Sequence, residues 1–494
     1  LSTENWFDLN ASRYQATCSQ QRMELLKTGY MGTLGLGWDD YLYLELTARQ
    51  ERSSTLKDQS FFYPSANVSF LFSEAFKMPH WWNYGKLRAS YGIVGNSPET
   101  YAANIVYEQG SDNGFTWNTI PTSIGNENIR PEKKYEYEIG FESKFLNNRL
   151  GIDVSYYNNI VKDQILSTPQ PSSSGAKYVL MNVGEVANNG WDIALSATPV
   201  LTKDFRWDLT ATYGVYRNKV IKLADGVPYL EISNLGGSGA KIQAVAGQPM
   251  GDIYTQVPQV NENGEFLVSD NGLYLNQTEL KKVGNINPDG VGGLYNSFSY
   301  KNFSLDFSID FRIGGDVINE MNQYATGLGL TPESLKYRDT EHGGLSYYYP
   351  NNNNSGGVPV QVDPTTTAGP NGEYIYHDGL ILPGVVASTG EPNNRIIPAG
   401  YYYNMTYNWG TNSEQLTYAN SVFDNTYVKL RELNLSYRIP SKAIQKIGMT
   451  NLTVSVFGRN LFYFYKALKN YDAESSVGTS WSVSYTHLRA HETA

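Results

Sequence analysis

The sequence predicts an all-β protein whose strands form a transmembrane antiparallel β-barrel wall with long extracellular loops. Three observations carry the prediction: strict two-residue alternation in strand-like segments, connections that alternate short and long, and aromatics gathered at segment ends. The clearest segment is Phe303-Ser304-Leu305-Asp306-Phe307-Ser308-Ile309-Asp310-Phe311, with every odd position large and apolar and every even one Ser or Asp. Successive strand side chains point to opposite faces, so this segment is oily on one side and acidic-polar on the other. Nine residues at about 3.3 Å each, tilted by about 40°, climb roughly 23 Å, close to the apolar band of an outer-membrane barrel. A half-buried strand of a soluble sandwich has the same pattern in isolation, so the rest of the chain decides.

Residues 1–28 read as an irregular segment, and twelve strand-like segments follow. Tyr30–Gly37 turns through Trp38-Asp39-Asp40 into Tyr41–Glu51, where Leu42, Leu44, Leu46 and Ala48 share a face. Phe61–Ser73 alternates through Ala66, Val68, Phe70 and Phe72. Gly85–Gly95 sets Leu87, Ala89 and Tyr91 against Arg88 and Ser90. Lys134–Phe145 sets Tyr135, Tyr137, Ile139 and Phe141 against Glu136, Glu138 and Glu142, and Leu150–Ile160 carries Ile152, Val154 and Tyr156. Gly190–Pro199 and Phe205–Asn218 present Trp191, Ile193, Leu195 and Trp207, Leu209, Ala211, Tyr213. Gly293–Tyr300 pairs with the 303–311 segment across Lys301-Asn302, and Tyr427–Arg438 and Asn451–Phe462 complete the set. In Tyr427–Arg438 the apolar face changes parity, from Val428 and Leu430 to Leu433, Leu435 and Tyr437. That shift predicts a bulge, or a strand leaving the apolar band.

Short connections at 38–40, 146–149, 201–204, 301–302 and 441–450 alternate with long ones at 96–131, 161–183, 219–292 and 314–425, with 52–60 and 73–84 intermediate. A soluble sandwich has no reason to place every long loop at one end, whereas outer-membrane barrels have short periplasmic turns and long external loops. Trp38, Tyr41, Trp81, Trp82, Trp191, Trp207 and Tyr300 stand at segment ends, as an interfacial girdle requires. The 303–311 segment starts at a short turn and so runs outward, which puts residues 314–425 outside the cell and turns Asp306 and Asp310 to the lumen.

Composition narrows the alternatives. The 494 residues carry 38 basic and 48 acidic side chains, net −10, and Tyr occurs 39 times. An acidic balance argues against nucleic acid as the main partner. The single cysteine, Cys18, forms no internal disulfide. No run of 18 apolar residues is present, so no transmembrane helix is expected.

Several segments then resemble a known family. Asn126-Glu127-Asn128-Ile129-Arg130-Pro131-Glu132, followed by Tyr137-Glu138-Ile139-Gly140, resembles the N-x-x-L-x-P-E…E-x-G signature of TonB-dependent receptors. Tyr63–Phe70 and Lys86–Gly92 resemble the family's adjacent barrel strands. Val283-Gly284-Asn285-Ile286-Asn287-Pro288-Asp289 with Gly314-Gly315-Asp316, and Phe457–Phe462 with Tyr471-Asp472-Ala473-Glu474, are similar to segments of SusC/RagA-type members from Bacteroidetes. Each also has a plain physical reading: Asn-Pro and Gly-Asn pairs are turn chemistry, and Arg459 can neutralise a lumenal carboxylate.

The resemblance implies a plugged 22-stranded barrel preceded by a regulatory-like domain, a TonB box and the plug. About twelve strands without those parts are expected to be the C-terminal part of such a barrel, spanning 29–482. Residues 483–494 show no period-2 face and read as a non-native tail. His487 and His491 within it could be a metal pair only on a short helix, and no Cys partner lies nearby. The resemblance further implies import of oligosaccharides or peptides across the outer membrane of a Gram-negative bacterium, with a SusD-like surface lipoprotein as lid and TonB as the energy source. A siderophore or cobalamin receptor and a surface adhesin are the alternatives.

No catalytic motif is present: the other histidines, His80, His342 and His377, are far apart, and no Gly-x-Ser-x-Gly elbow, Walker loop or H-E-x-x-H occurs. Neither an enzyme nor a cofactor is expected. Asn261–Glu265 lacks the order of a calcium loop and reads as a turn. Asp306, Asp310, Arg312 and Arg431 are the lumenal candidates for contact with plug or substrate. In the outer loops Tyr347, Tyr348, Tyr401, Tyr402, Tyr407 and Trp409 suit ligand contact, partner contact or loop packing.

Overall fold

The computed structural model describes residues 22–474 except positions 58–59, 105, 113–114, 170–172, 174, 236–238, 356, 409–414, 446–447 and 470. The tail at 483–494 and Trp409 therefore lie outside the described residues. Among the described residues regular structure begins at Lys27, two residues before the expected boundary.

All twelve expected strands are present, in one antiparallel sheet. They are β1 (Lys27–Trp38), β2 (Leu42–Ser53), β3 (Ser60–Phe70), β4 (Trp82–Asn96), β5 (Glu132–Phe145), β6 (Leu150–Pro169), β7 (Tyr178–Leu201), β8 (Phe205–Lys222), β9 (Gly290–Tyr300), β10 (Phe303–Ile313), β11 (Tyr427–Ile439) and β12 (Leu452–Lys466). Each strand pairs with its neighbours in sequence order, β1 with β2 through to β11 with β12. Left-handed backbone at Asp39, Asp40, Asn147, Asn148 and Lys301 makes the short turns, a conformation Asn and Asp tolerate well.

Register explains why the two faces stay separate across the sheet. One lateral row runs Trp38, Leu42, Phe70, Leu87, Phe141, Val154, Ile193, Tyr213, Gly292, Phe311, Val428, Tyr465. The adjacent row runs Gly37, Tyr43, Ser69, Arg88, Gly140, Ser155, Asp192, Gly214, Val291, Arg312, Tyr427, Lys466. The first row leaves its turn at β1–β2 and reaches the opposite, long-loop end at β11–β12. That drift is the stagger that tilted barrel strands require.

Among the described residues no second layer covers the apolar face. Phe303 is 53% exposed, Trp191 50% and Leu435 52%. A water-soluble sandwich would bury these residues against a facing sheet; here they form a continuous greasy surface suited to lipid. Rings concentrate at the short-turn end: Trp81 and Trp82 with Phe145 (5.9 and 5.4 Å), Trp207 with Phe298 (5.4 Å) and Phe303 with Tyr437 (4.5 Å). Asn296 is one of the few polar residues on this face, and the indole of Trp207 donates to it at 3.1 Å.

Where the chain was expected to leave the sheet at 161–183, the strands instead continue. β6 and β7 stay paired up to Pro169 and Tyr178, through irregularities at Asn182–Val186. At 24 residues β7 is far longer than the roughly 9–11 a tilted strand needs to cross a bilayer, so this hairpin stands well above the apolar band.

The buried core lies in the two longest loops, which fold against each other. Tyr229–Leu235, Ala240–Val245, Asp252–Thr255 and Lys281–Asn285 form one small sheet. Val360–Gln361, Leu345–Tyr348, Tyr376–Leu380 and Ile397–Pro398 form another. Leu273 from the first loop packs with Leu380, Leu382, Ile397, Ala399 and Tyr403 from the second. Ala240 and Ile253 likewise meet Ile318 and Tyr418. Helix α1 (Glu320–Gly327) starts at Asn319, whose side chain accepts from the Asn322 N–H at 3.0 Å; helix α2 (Ala399–Tyr407) follows. Asn261 accepts from the N–H groups of Asn263 and Glu265 at 3.0 and 2.9 Å, with Gly264 at φ +81°, an ordinary turn.

Candidate lumenal site and outer-loop surface

The polar face of the sheet is laced by ion pairs that span neighbouring strands. Arg88 on β4 lies flat across β5, where Gly140 leaves room: a Cβ there would stand 2.3 Å from the Arg88 Nε. The guanidinium thereby reaches β6, donating to Asp153 Oδ1 at 2.7 Å, and it meets Glu138 at 3.5 Å on the way. This explains the glycine of the Tyr-Glu-Ile-Gly segment.

A second network forms at a bulge in β11. Ile309 pairs with Leu430 and Ser308 with Glu432, leaving Arg431 as the extra residue. The bulge produces the parity change read in the sequence, because it turns both Arg431 and Glu432 to the polar face. Arg431 donates through Nε to Asp310 Oδ2 at 2.5 Å and through Nη1 to Asn460 Oδ1 at 2.8 Å and Glu474 Oε2 at 2.9 Å; its Nη2 bonds the other oxygen of Glu474. Lys429, only 3% exposed, pairs with the same carboxylate. Arg459 pairs with Glu432 at 3.6 Å, a lumenal carboxylate as its plain reading anticipated.

The other two lumenal candidates stand apart from this cluster. Asp306 accepts from Ser297 Oγ at 2.6 Å, from the Tyr295 hydroxyl at 3.4 Å and from Asn434 Nδ2 at 3.3 Å. Arg312 is directed to backbone, donating to Ile286 O at 2.7 Å and Gly314 O at 3.2 Å. It ties β10 to the Val283–Asp289 segment, which is itself knotted. Asp316 accepts from the Asn285 N–H at 2.9 Å, Asn285 Nδ2 donates to Asp252 at 2.6 Å, and Tyr216 donates to Asn287 Oδ1 at 2.9 Å. Gly314 and Gly315 have φ of +68° and +77°, and a Cβ on Gly315 would meet the Arg312 Nη2 at 2.4 Å. These residues fix the loop domain to the wall.

The Asn126–Glu132 segment caps the outer end of β5 in the same way. Ile129 is buried with Leu56 and Phe61. Asn182 accepts from the Arg130 N–H and donates to the Arg130 carbonyl, both at 2.7 Å, while Glu132 accepts from the Ile165 N–H at 2.8 Å.

The outer-loop tyrosines separate into two kinds. Tyr347 is 1% exposed, stacks on Tyr376 at 5.3 Å and donates to Asp378 at 3.1 Å. It is a core residue of the loop domain, the loop-packing alternative among the three that the sequence left open. Tyr402 and Tyr407 pack half-buried against the Leu273 core, and Tyr348 is half-buried in its strand. Tyr401 faces solvent, and so does Tyr374, which sequence reasoning passed over.

Sequence reasoning also passed over Lys429 and Glu474. The signal for Lys429 was its place two residues from Arg431 on the polar side of β11. Glu474 carried no signal beyond its family-like Tyr471–Glu474 context. Among the described residues no group of three or more His, Cys, Asp or Glu side chains is arranged to hold a metal, and no helix is long and apolar enough to cross a membrane, which says nothing of strands.

A family model described as "TonB dependent receptor-like, beta-barrel" matches residues 10–250. The chain is 24% identical over 469 residues to a TonB-dependent receptor of Formosa agariphila, covering 87% of this chain and 41% of that one. It is 27% identical over 269 residues to the TonB-dependent receptor SusC of Bacteroides thetaiotaomicron, covering 49% and 27%. Among solved structures, that of the RagAB peptide transporter superposes with a TM-score of 0.68 at 18% identity, over 95% of this chain and 48% of that one. The chain thus spans less than half the length of these relatives. Its single-layer staggered sheet and lipid-suited face agree with the TonB-dependent receptor-like β-barrel matched over residues 10–250, and its relatives include TonB-dependent receptors, SusC among them.

Proposed function

We propose that the protein imports oligosaccharides, or peptides, through the outer membrane in a TonB-dependent manner, together with a SusD-like surface lipoprotein that closes over the barrel. One observation carries the reading: the two longest loops fold into a packed domain fixed to the outer end of a polar-faced wall. A siderophore-type or adhesin reading gains nothing specific from that arrangement. In this account the sheet supplies lumen wall and the loop domain supplies the rim against which a lid seats. TonB acts on a plug, drawing on the inner-membrane proton gradient. Among the described residues β1 and β12 each pair on one side only, and unpaired backbone in hydrocarbon costs several kcal/mol per group; we infer that both edges pair with further strands.

Asp306, Asp310 and Arg431 are the proposed lumenal contacts for plug or substrate, with Arg312 holding the loop domain in place. Tyr401 is the outer-loop residue best placed to touch lid or ligand. The test is affinity purification of the tagged full-length protein from outer membranes, with labelled oligosaccharide and peptide uptake in a deletion strain. A stoichiometric surface lipoprotein and restored uptake support the reading. Recovery of the barrel alone, with neither substrate class imported, overturns it.

A further inference from the structure

Three side chains at alternate positions on β11 converge on one carboxylate. The Tyr427 hydroxyl donates to Glu474 Oε1 at 3.3 Å, Lys429 pairs with Oε2, and the Arg431 guanidinium grips both oxygens as a fork. Alternate strand residues share a face, so the cradle belongs to the wall itself. Its backbone geometry is built for this: the bulge at Arg431 sets the fork beside Asp310, which fixes its Nε. Forked guanidinium–carboxylate contacts are among the strongest and most directional polar contacts available. An almost fully buried lysine without a counter-charge would be costly, so the cradle in its covered state calls for an anion.

The group that fills it comes from outside the sheet. Residues 467–469 and 471–474 leave β12 and fold back over the polar face without regular structure. A backbone bond from the Ala467 N–H to Thr426 O at 2.9 Å roots the segment. Beyond the root, side chains hold it: Lys466 Nζ donates to Tyr471 O at 2.9 Å, the Tyr463 hydroxyl bonds Asp472, and apolar burial involves Leu468 and Ala473.

We propose that Tyr427, Lys429 and Arg431 form a carboxylate-binding station on the path through the barrel, and that Glu474 occupies it as an intramolecular stand-in. A carboxylate-bearing substrate displaces Glu474 and lifts the 471–474 strap. The inference rests on the import reading in that the polar face must be the ligand path. It goes further by assigning a substrate chemistry, a carboxylate carried by an acidic peptide or a uronic-acid oligosaccharide.

Hydrogen exchange on the full-length protein in detergent micelles tests it, with hexaglutamate and an oligogalacturonate as probes and hexaglutamine and a neutral maltooligosaccharide as controls. At saturation, one or both acidic probes should speed exchange of the 471–474 amides about tenfold, the equivalent of about 1.4 kcal/mol; the controls should leave it unchanged. Glu474→Gln removes the competing charge and should tighten acidic-probe binding by about the same factor. Acidic probes that fail to bind, that bind without faster strap exchange, or that bind Glu474→Gln no tighter overturn the proposal. Should that variant not fold, the wild-type exchange measurement decides alone. Import of a neutral substrate with an unresponsive strap defeats this inference while leaving the import reading intact.

Discussion

Replacing Phe307 by Lys measures whether the apolar face meets lipid. Phe307 is the fifth residue of β10, about 10 Å above the short turn at a tilt of about 40°, near the middle of a band roughly 25 Å tall. It stands between Asn296 and Leu433 in register and stacks on Phe298 at 6.1 Å and 22°. A lysine facing lipid at that depth costs about 2–4 kcal/mol, and loss of the stacked ring adds about 0.5–1.5 kcal/mol. The sum, roughly 3–5 kcal/mol, lowers the folded-to-unfolded ratio by about two to four orders of magnitude. Ser308→Lys, one residue along on the polar face and opposite Glu432, should cost less than about 1 kcal/mol. The assay is a urea titration of the full-length protein in phosphatidylcholine vesicles, with folded protein counted by its heat-modifiable gel mobility. Equal costs at 307 and 308, or a Phe307→Lys cost under about 1 kcal/mol, would refute the lipid-facing assignment.

Gly140→Val should expel Arg88 from its slot, break the Arg88–Asp153 pair and cost about 1–3 kcal/mol; Arg88→Ala in the same protein should recover part of that loss, read as the urea midpoint. Asp310→Asn leaves Arg431 with Glu474 as its one carboxylate partner and should destabilise the barrel by about 1 kcal/mol, whereas Asp310→Asn with Arg431→Gln should cost less than the two changes added. Glu373 in the loop domain gives a pH signature. The Asn371 N–H at 2.8 Å, aided by the Asn371 side chain and the Asn351 N–H, holds its carboxyl at about 2 instead of 4.5. Because the folded state favours the anion, its stabilisation is complete above about pH 4.5 and disappears as pH falls through about 2. Exchange protection at Asn351 and Asn371, corrected for intrinsic rate, should fall across that window in the wild type and stay flat in Glu373→Gln. Gly315→Ala forces a Cβ to 2.4 Å from the Arg312 Nη2 at a φ of +77° and should cost at least about 1 kcal/mol, with faster exchange at the Asn285 amide.

The twelve strands, their two faces and the end carrying the long loops could all be read from the chain. Each depends on a two-residue period or a loop length, and both are local quantities. The bulge was legible for the same reason: one extra residue shifts the parity from Leu430 to Leu433. Nothing local told that Asp310 and Arg431, 121 residues apart, would meet, or that Glu474 would fold back to join them. Those contacts depend on the stagger summed across neighbouring strands, which no single strand encodes. The run Tyr347-Tyr348-Tyr349 likewise gave no sign of which ring would be buried. Burial there required Tyr376 and Ile396, far along the same long loop, to pack on Tyr347 and Tyr349. An alternating pattern fixes which side a residue faces; what it faces is decided by long-range register and by loop-on-loop packing, and only the tertiary structure supplies either.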